Sequence, residues 1–506
     1  MELTQNQSLF LSVHRFLNER NIESYLVGGF IRDLLLGRDT ADIDIVVKGD
    51  ALEIAREMYL FTGGTYITLD EENRTGRIVI PTGDSERQLN LDISSLKENI
   101  QKDLSTRDFT INAMAVNFNQ FIGKISCFND LARALVGIPL IDPYNGQQDL
   151  QKGIIRAVTR DVFKEDSLRL LRAIRLSAEL DFNIDTETQN WIKEDAIYIK
   201  SVAGERVREE LLRILNSYNS GYRIKYLEET GILTNLVPEL LPLRETTQPP
   251  EHYWKVLDHS LNTLVAINFI LRQGRWLCPE EGILEQVPWS SAEEQYFNKQ
   301  VAYGSSIAVL LKIAALLHDI AKPLTKTITE EGKMRFLGHE KEGAIMASHI
   351  LNRLRFSTRE IKMVETFVRY HLRPTQLTQD DIPTDRALYR YCRDTGEGAI
   401  AILYLSLADH LATRGPLLDL TLWEQHTKLV KYVLNYIYQK NKEQLKPQGL
   451  INGHDLINIF HLKPGPEIKI ILEAIREAQA IGEIQNRDEA LKYIESKLIH
   501  RTGSKT

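Results

Sequence analysis

The chain has 506 residues, 43% hydrophobic and 26% charged, with 62 basic against 69 acidic side chains and a formal net charge of −7. A single compact core stops growing near ~250–300 residues, so two to four domains are expected, and the composition excludes wholesale disorder, collagen and coiled-coil rods. The charge balance carries no global signal for nucleic acid, whose binding needs only a local basic face. No apolar run reaches the ~18 residues of a membrane span; the longest, residues 399–407, is closed by Asp409 and His410. The opening MELTQNQSLF does not read as a secretory signal. Cys127, Cys278 and Cys392 lie too far apart for a disulfide framework or a zinc pattern, so a reducing cytoplasm is the expected compartment.

In chain order, residues 24–27 read as a strand, Gly28-Gly29 as a tight turn, and residues 30–36 as a short helix with Gly37 as its cap. Residues 43–47 alternate into a second strand, and 65–68, 77–80 and 88–93 into further ones. From Val162 onward long amphipathic stretches dominate: 168–179, 203–215, 257–271, 307–320, 341–354 and 399–412. Linkers are suggested at 142–146, at the proline-rich 241–251 and at 446–453, with no internal repeat. The expected class is α+β: a mixed α/β head (1–140), then an all-α neck (141–240), body (241–445) and tail (446–506).

The head carries the first constellation. Gly28-Gly29-Phe30-Ile31-Arg32-Asp33 precedes Asp42-Ile43-Asp44-Ile45. Residues i and i+2 of a strand share a face at ~6.6–6.8 Å, so Asp42 and Asp44 project side by side and Ile43 and Ile45 point the other way. Two neighbouring carboxylates repel unless a cation lies between them, and hard Mg²⁺ suits such oxygen ligands. A helix opened by Gly-Gly offers backbone N–H groups to phosphate. A phosphate cradle beside a metal dyad points to two-metal phosphoryl or nucleotidyl transfer. Either half alone would read as an ordinary turn or a solvated strand; the two together, in this order, favour the chemistry. Asp92 on a neighbouring strand is a third carboxylate or simply an exposed strand aspartate.

These motifs, followed by Arg107-Asp108-Phe109-Thr110-Ile111-Asn112-Ala113, resemble the bacterial class of tRNA nucleotidyltransferases and poly(A) polymerases. The resemblance continues through Asp142-Pro143 to Gly146 with Asp149-Leu150, then Glu165-Asp166-Ser167-Leu168-Arg169 to Arg175, then Glu205-Arg206 with Glu210-Leu211. It covers roughly residues 20–215 and implies a polymerase-beta-like nucleotidyltransferase head. One departure is that Thr106, rather than a second arginine, precedes Arg107.

A helix is expected over residues 163–178, apolar at Leu168, Leu171, Ile174 and Ala178, with Asp166, Arg169 and Arg172 at i, i+3 and i+6 on an adjoining face and Arg175 continuing the row. On spacing alone this is a solvated salt-bridge ladder. The resemblance implies that Asp166 and Arg169 pair with the incoming base and that Arg172 and Arg175 contact nucleotide or phosphate. It also implies that Gly28, Gly29, Arg32 and Arg107 lie in the nucleotide site, with Asp108 and Asn112 holding its shape and the sugar.

His259, His318-Asp319, His339, His371 and Asp409 fall in helical territory, and their order resembles the HD metal-dependent phosphohydrolases. Such a set holds a divalent transition metal and activates water; the alternative is a helical scaffold that supports tRNA. The tail resembles that of long relatives, which grip the tRNA elbow, with Lys463, Lys469 and Arg476 as candidate phosphate contacts.

The leading expectation is a Mg²⁺-dependent, template-independent enzyme that adds CMP, with or without AMP, from CTP and ATP to the 3′ end of tRNA, with neither DNA nor a membrane as partner. Poly(A) synthesis and HD phosphohydrolysis are the alternatives. In CCA-adding relatives a flexible lever precedes the Arg-Asp-Phe-Thr motif; here Asp92 to Arg107 reads DISSLKENIQKDLSTR, with no glycine or proline. This favours CC addition over complete CCA addition, unless another loop such as 68–76 does the switching.

Overall fold

The computed structural model describes residues 5–38, 40–72, 74–81, 88–125, 135, 137–277, 282–377, 383–440 and 449–502. Cys127, Cys278 and the start of the 446–453 linker lie outside these residues; Cys392 is free and buried. The chain divides into two compact units, Met1–Val202 with Thr230–Asn235, and Ala203–Glu229 with Leu236–Thr506.

The first unit opens with α1 (Gln5–Glu19), β1 (Ser24–Val27), α2 (Gly28–Leu35), β2 (Asp42–Val47), α3 (Ala51–Thr62), β3 (Thr65–Asp70), β4 (Thr75–Pro81), β5 (Gln88–Ser95), α4 (Ile100–Ser105), β6 (Ala115–Asn117) and α5 (Phe118–Ile125). The strands form one sheet in the order β3-β4-β5-β2-β1-β6. β2 and β5 are parallel, pairing Asp42 with Asn90 and Asp44 with Asp92, and the other neighbours are antiparallel. Strand alternation makes the sheet two-sided in character. Ile43, Ile45, Ile78, Leu91 and Ile93 are buried with Phe10 and Phe16 of α1 and Ala55 and Met58 of α3. The carboxylates share the opposite face.

Two expectations need correction. Gly28 and Gly29 are not a separate turn: they are the first residues of α2, entered at Gly28 with φ +69°. Nor is 163–178 one helix. A short helix, α6 (Val162–Glu165), stops at Asp166, whose φ of −146° and ψ of 103° are extended; α7 (Arg169–Leu180) follows. The cause is local: the Asp166 carboxylate accepts from the Leu168 N–H at 3.2 Å and its carbonyl from the Arg169 N–H at 3.0 Å, a turn of the kind a short acidic side chain makes with its own backbone.

In the second unit, α8 (Val256–Ile270) packs against α9 (Ile307–Leu317) and α12 (Ala399–Arg414), while α10 (His339–Arg353) packs against α11 (Thr358–Tyr370). The apolar run at 399–407 is thus a core helix, buried along nearly its whole length. Among the described residues no helix is long and apolar enough to cross a membrane. At the C-terminal end, Ile451, Leu456, Ile475, Ala478, Ile484 and Ile494 close a small core of their own.

Candidate active site

In the head, Asp42 is exposed, Asp44 half-buried, and both lie on the open face of β2. The Asn90 amide donates to Asp42 Oδ1 at 2.8 Å. Asp44 accepts from the Phe30 backbone N–H in the first turn of α2, so the strand carboxylate and the helix start are bonded to each other. Burial pushes the Asp44 carboxyl up; Arg107 draws it down, while Asp92 and Asp42 add like-charge repulsion. A Cβ on Gly28 would stand 2.7 Å from an Arg107 guanidinium nitrogen and 3.0 Å from Asp44 Oδ2, so only glycine lets these three groups converge. A Cβ on Gly29 would stand 3.6 Å from Arg32 and from Asp44 Oδ2, an ordinary contact. Asp92 is held by Arg77 through two bonds of 2.7 and 2.8 Å, which turns it toward β4. The crowded acidic pair of Asp42 and Asp44 fits a hard divalent cation, whose charge would relieve that repulsion.

A second set of bonds joins α7 to the head. Arg172 donates to Asp108 Oδ2 at 2.9 and 2.6 Å, and the Asn112 amide donates to Asp108 Oδ1 at 3.0 Å. Arg32 donates to Asn112 Oδ1 at 2.8 Å and to both Asp33 oxygens. Arg169 donates to the carbonyls of Thr106 at 2.7 Å and Val162 at 3.2 Å, and to Glu165. Arg32, Asn112, Asp108 and Arg172 thus form one run of hydrogen bonds. Arg169 bonds separately to Thr106, Val162 and Glu165, Asp166 bonds the Leu168 N–H, and Gly28, Gly29 and Arg107 gather around Asp44. Arg175 stands apart: its side chain is buried and pairs with Glu179 at 3.5 Å. Burial opposes ionisation of Asp108, but Arg172 and Asn112 outweigh it and hold the carboxyl well below the usual range. Sequence reasoning missed Arg77 and Asn90, which only strand register reveals, and Asp103, which accepts from Arg107 at 3.3 Å, an i,i+4 pair visible in the sequence.

The second unit brings His259, His318, Asp319, His339, His371 and Asp409 together as two triads, His259/His318/Asp409 and Asp319/His339/His371, each with donor atoms within 4.8 Å of one another. The Nδ1 atoms of His318, His339 and His371 lie 2.9, 2.7 and 2.7 Å from the carbonyls of Ala315, Phe336 and Val368. A carbonyl only accepts, so these Nδ1 atoms carry the proton and the Nε2 lone pairs point inward. His339 Nε2 and His371 Nε2 face each other at 3.3 Å, an arrangement that repels unless a cation lies between them. The imidazole and carboxylate donors suit a divalent transition metal. Burial and the neighbouring His318 push His371 down to about 3, which keeps it neutral, the ligating form. Lys322 binds Asp319 at 2.7 Å, and His252 packs edge-on against His259; neither was singled out from the sequence.

This fold and site define an enzyme, a nucleotidyltransferase whose polymerase-type head is followed by an HD-type helical body. Three domain families match in the same order: "Poly A polymerase head domain" over residues 24–156, "Probable RNA and SrmB-binding site of polymerase A" over 181–243, and "HD domain" over 301–414. The CC-adding tRNA nucleotidyltransferase of Thermus thermophilus is 30% identical over 479 residues, covering 93% of each chain. The A-adding tRNA nucleotidyltransferase of Deinococcus radiodurans is 29% identical over 490 residues, covering 95% of this chain and 96% of its own. The Thermotoga maritima CCA-adding enzyme complexed with tRNA shares the fold with a TM-score of 0.57 at 24% identity, covering 97% of this chain and 95% of its own. The chain belongs to the bacterial-type tRNA nucleotidyltransferase and poly(A) polymerase family.

Proposed function

We propose that this enzyme adds two cytidylates, and no terminal adenylate, to the 3′ end of tRNA. The observation that carries the CC-only reading is the connection from β5 to α4. Residues 96–99 alone join Ser95 to Ile100, and the Asn99 side chain caps α4 by accepting from the Lys102 N–H at 2.9 Å. A site shaped for cytosine must reorient to admit adenine, and this connection leaves no free element to drive that change. The 68–76 alternative is poor in the same way: residues 68–70 and 75–76 are tied into the paired strands β3 and β4.

Asp42 and Asp44 would hold divalent cations, whose charge would offset that of the triphosphate. The α2 entrance with Arg107 positions the nucleotide's phosphates. Asp166 and Arg169 offer acceptor and donor groups to the base, and Arg172 and Asp108 fix α7 against the head. The RNA 3′-hydroxyl gives its proton to solvent as its oxygen bonds to the α-phosphorus, the bond from the α-phosphorus to the oxygen bridging the β-phosphate breaks, and pyrophosphate leaves. The test supplies tRNA lacking its CCA, and separately tRNA ending in CC, with CTP and ATP, and sequences the products. Ends stopping at CC are expected from the first substrate and no extension of the second. Complete CCA ends, or adenylate added only to the second, would overturn the CC reading, and A-runs would favour poly(A) synthesis.

A second reading concerns the body. The facing lone pairs of His339 and His371 support a bound transition metal and a separate phosphohydrolase activity, assayed on phosphomonoesters and cyclic nucleotides. Metal-free purified protein, with no hydrolysis lost in His318→Ala, would leave a scaffold role.

A further inference from the structure

The sheet order separates the two sides of the carboxylate pair. Every candidate nucleotide-binding residue of the head comes from the β1–β6 side of β2: Gly28, Gly29 and Arg32 follow β1, and Arg107 to Asn112 precede β6. On the other side lie β5, β4 and β3, and their register carries the carboxylate face outward in two rungs. One runs Asp44–Asp92–Arg77–Ile67 and the other Asp42–Asn90–Val79–Thr65. At ~4.8 Å per strand, Ile67 stands about 14 Å from Asp44, room for a short run of nucleotides rather than one. The buried side of these strands packs on α3, yet Ile67 is 44% exposed and Leu69, at the bulge beyond it, 46%. An exposed apolar pair on an edge strand is an association hazard unless a partner uses it.

We propose that this open half of the sheet, from Arg77 to Ile67 and Val79, seats the 3′-terminal nucleotides of the acceptor RNA, their bases resting on the apolar side chains. The inference rests on the nucleotidyl-transfer reading. Two arguments favour RNA as the occupant. In-line displacement requires the attacking 3′-oxygen to arrive opposite the departing pyrophosphate, which on the nucleotidyl-transfer reading lies on the α2 and Arg107 side. The face is also continuous with the carboxylates and is not an acidic barrier, because Arg77 neutralises Asp92 and presents a guanidinium between the reacting centre and the apolar footing. Sequence-tolerant stacking suits an end that changes with each addition.

The test compares wild type with Ile67→Glu and Ile67→Leu in CMP transfer to tRNA lacking CCA, with melting temperature as the check on folding. Ile67→Glu is expected to raise KM for the RNA roughly tenfold, the size of one lost base stack, and to leave KM for CTP unchanged; Ile67→Leu should match wild type. If Ile67→Glu melts early, benzoylphenylalanine at position 67 gives an independent readout and should crosslink to the last nucleotides of the tRNA. An unchanged RNA KM, or crosslinks elsewhere on the tRNA, would overturn the assignment. So would a wild-type dimer in sedimentation that Ile67→Glu dissociates, which would give the face to a second copy. Absence of CMP transfer by wild type would instead refute the underlying activity, and the crosslink would still report on where the RNA lies.

Discussion

At Gly28 a missing side chain decides what three other residues do. Its φ of +69° and the 2.7 Å clearance to Arg107 leave no place for a methyl group. Gly28→Ala must move Arg107 or Asp44, so KM for CTP should rise and kcat fall while the melting temperature drops modestly; unaltered kinetics would remove Gly28 from the site. The carboxylates behave differently. Asp44→Asn, or Asp42→Asn, should cut CMP transfer roughly a thousandfold, the loss of several kcal/mol of cation-mediated charge stabilisation. Neither change should destabilise the fold, because each removes one of two repelling charges, and circular dichroism melting checks this. Near-normal transfer by the double variant would dismiss the pair as catalytic.

At the scale of elements, an ion pair is among the bonds that hold α7 to the head. Arg172 and Asp108 meet across segments far apart in sequence, with Asp108 buried. Asp108→Asn leaves Arg172 facing a neutral group and should cost about 2–4 kcal/mol in denaturant unfolding. Because the folded-state carboxyl is depressed, wild type holds this contribution above the unfolded pKa of about 4 and loses it as pH falls below that value. The stability gap between wild type and Asp108→Asn should therefore shrink below about pH 4. A gap that stays constant with pH would show that the pair is not the source. Discrimination among CTP, ATP, UTP and GTP should weaken in the same variant, since α7 carries Arg169.

At the scale of the molecule, buried charge marks what the helical body tolerates. Lys312 is buried in α9 with its ammonium on the Leu215 carbonyl at 2.6 Å, and burial pushes it down to about 7. The folded state thus binds fewer protons than the unfolded chain between about pH 7 and the unfolded value near 10.4. The penalty is complete below about pH 7 and fades as pH rises. Lys312→Met should gain stability relative to wild type at pH 6.5, by a margin that narrows by pH 9.5 in urea titrations; a margin independent of pH would refute the shift. The HD cluster makes a parallel case for metal: chelator dialysis should lower the melting temperature of wild type and leave that of His318→Ala unmoved, with metal content measured alongside.

Much of this protein was legible in its sequence because the signals are local. Alternation in Asp42-Ile43-Asp44-Ile45 specifies which side chains share a strand face, and the residues themselves set that period. The long helices of the body follow from apolar periodicity, and the order of motifs carries the family. Local geometry also produced a misreading: an i,i+3,i+6 row looks helical until the backbone turns extended at Asp166, whose carboxylate takes the Leu168 N–H. What only the tertiary structure decided is whatever depends on strand order and register. Asp92 pairs with Arg77, Asn90 with Asp42, and Ile67 lies on the carboxylate face, because β5 runs parallel to β2 while β4 and β3 fold back antiparallel. The histidines of the body, spread from position 259 to 371, meet for the same reason: packing of distant helices, not spacing along the chain, brings their nitrogens to within hydrogen-bond distance.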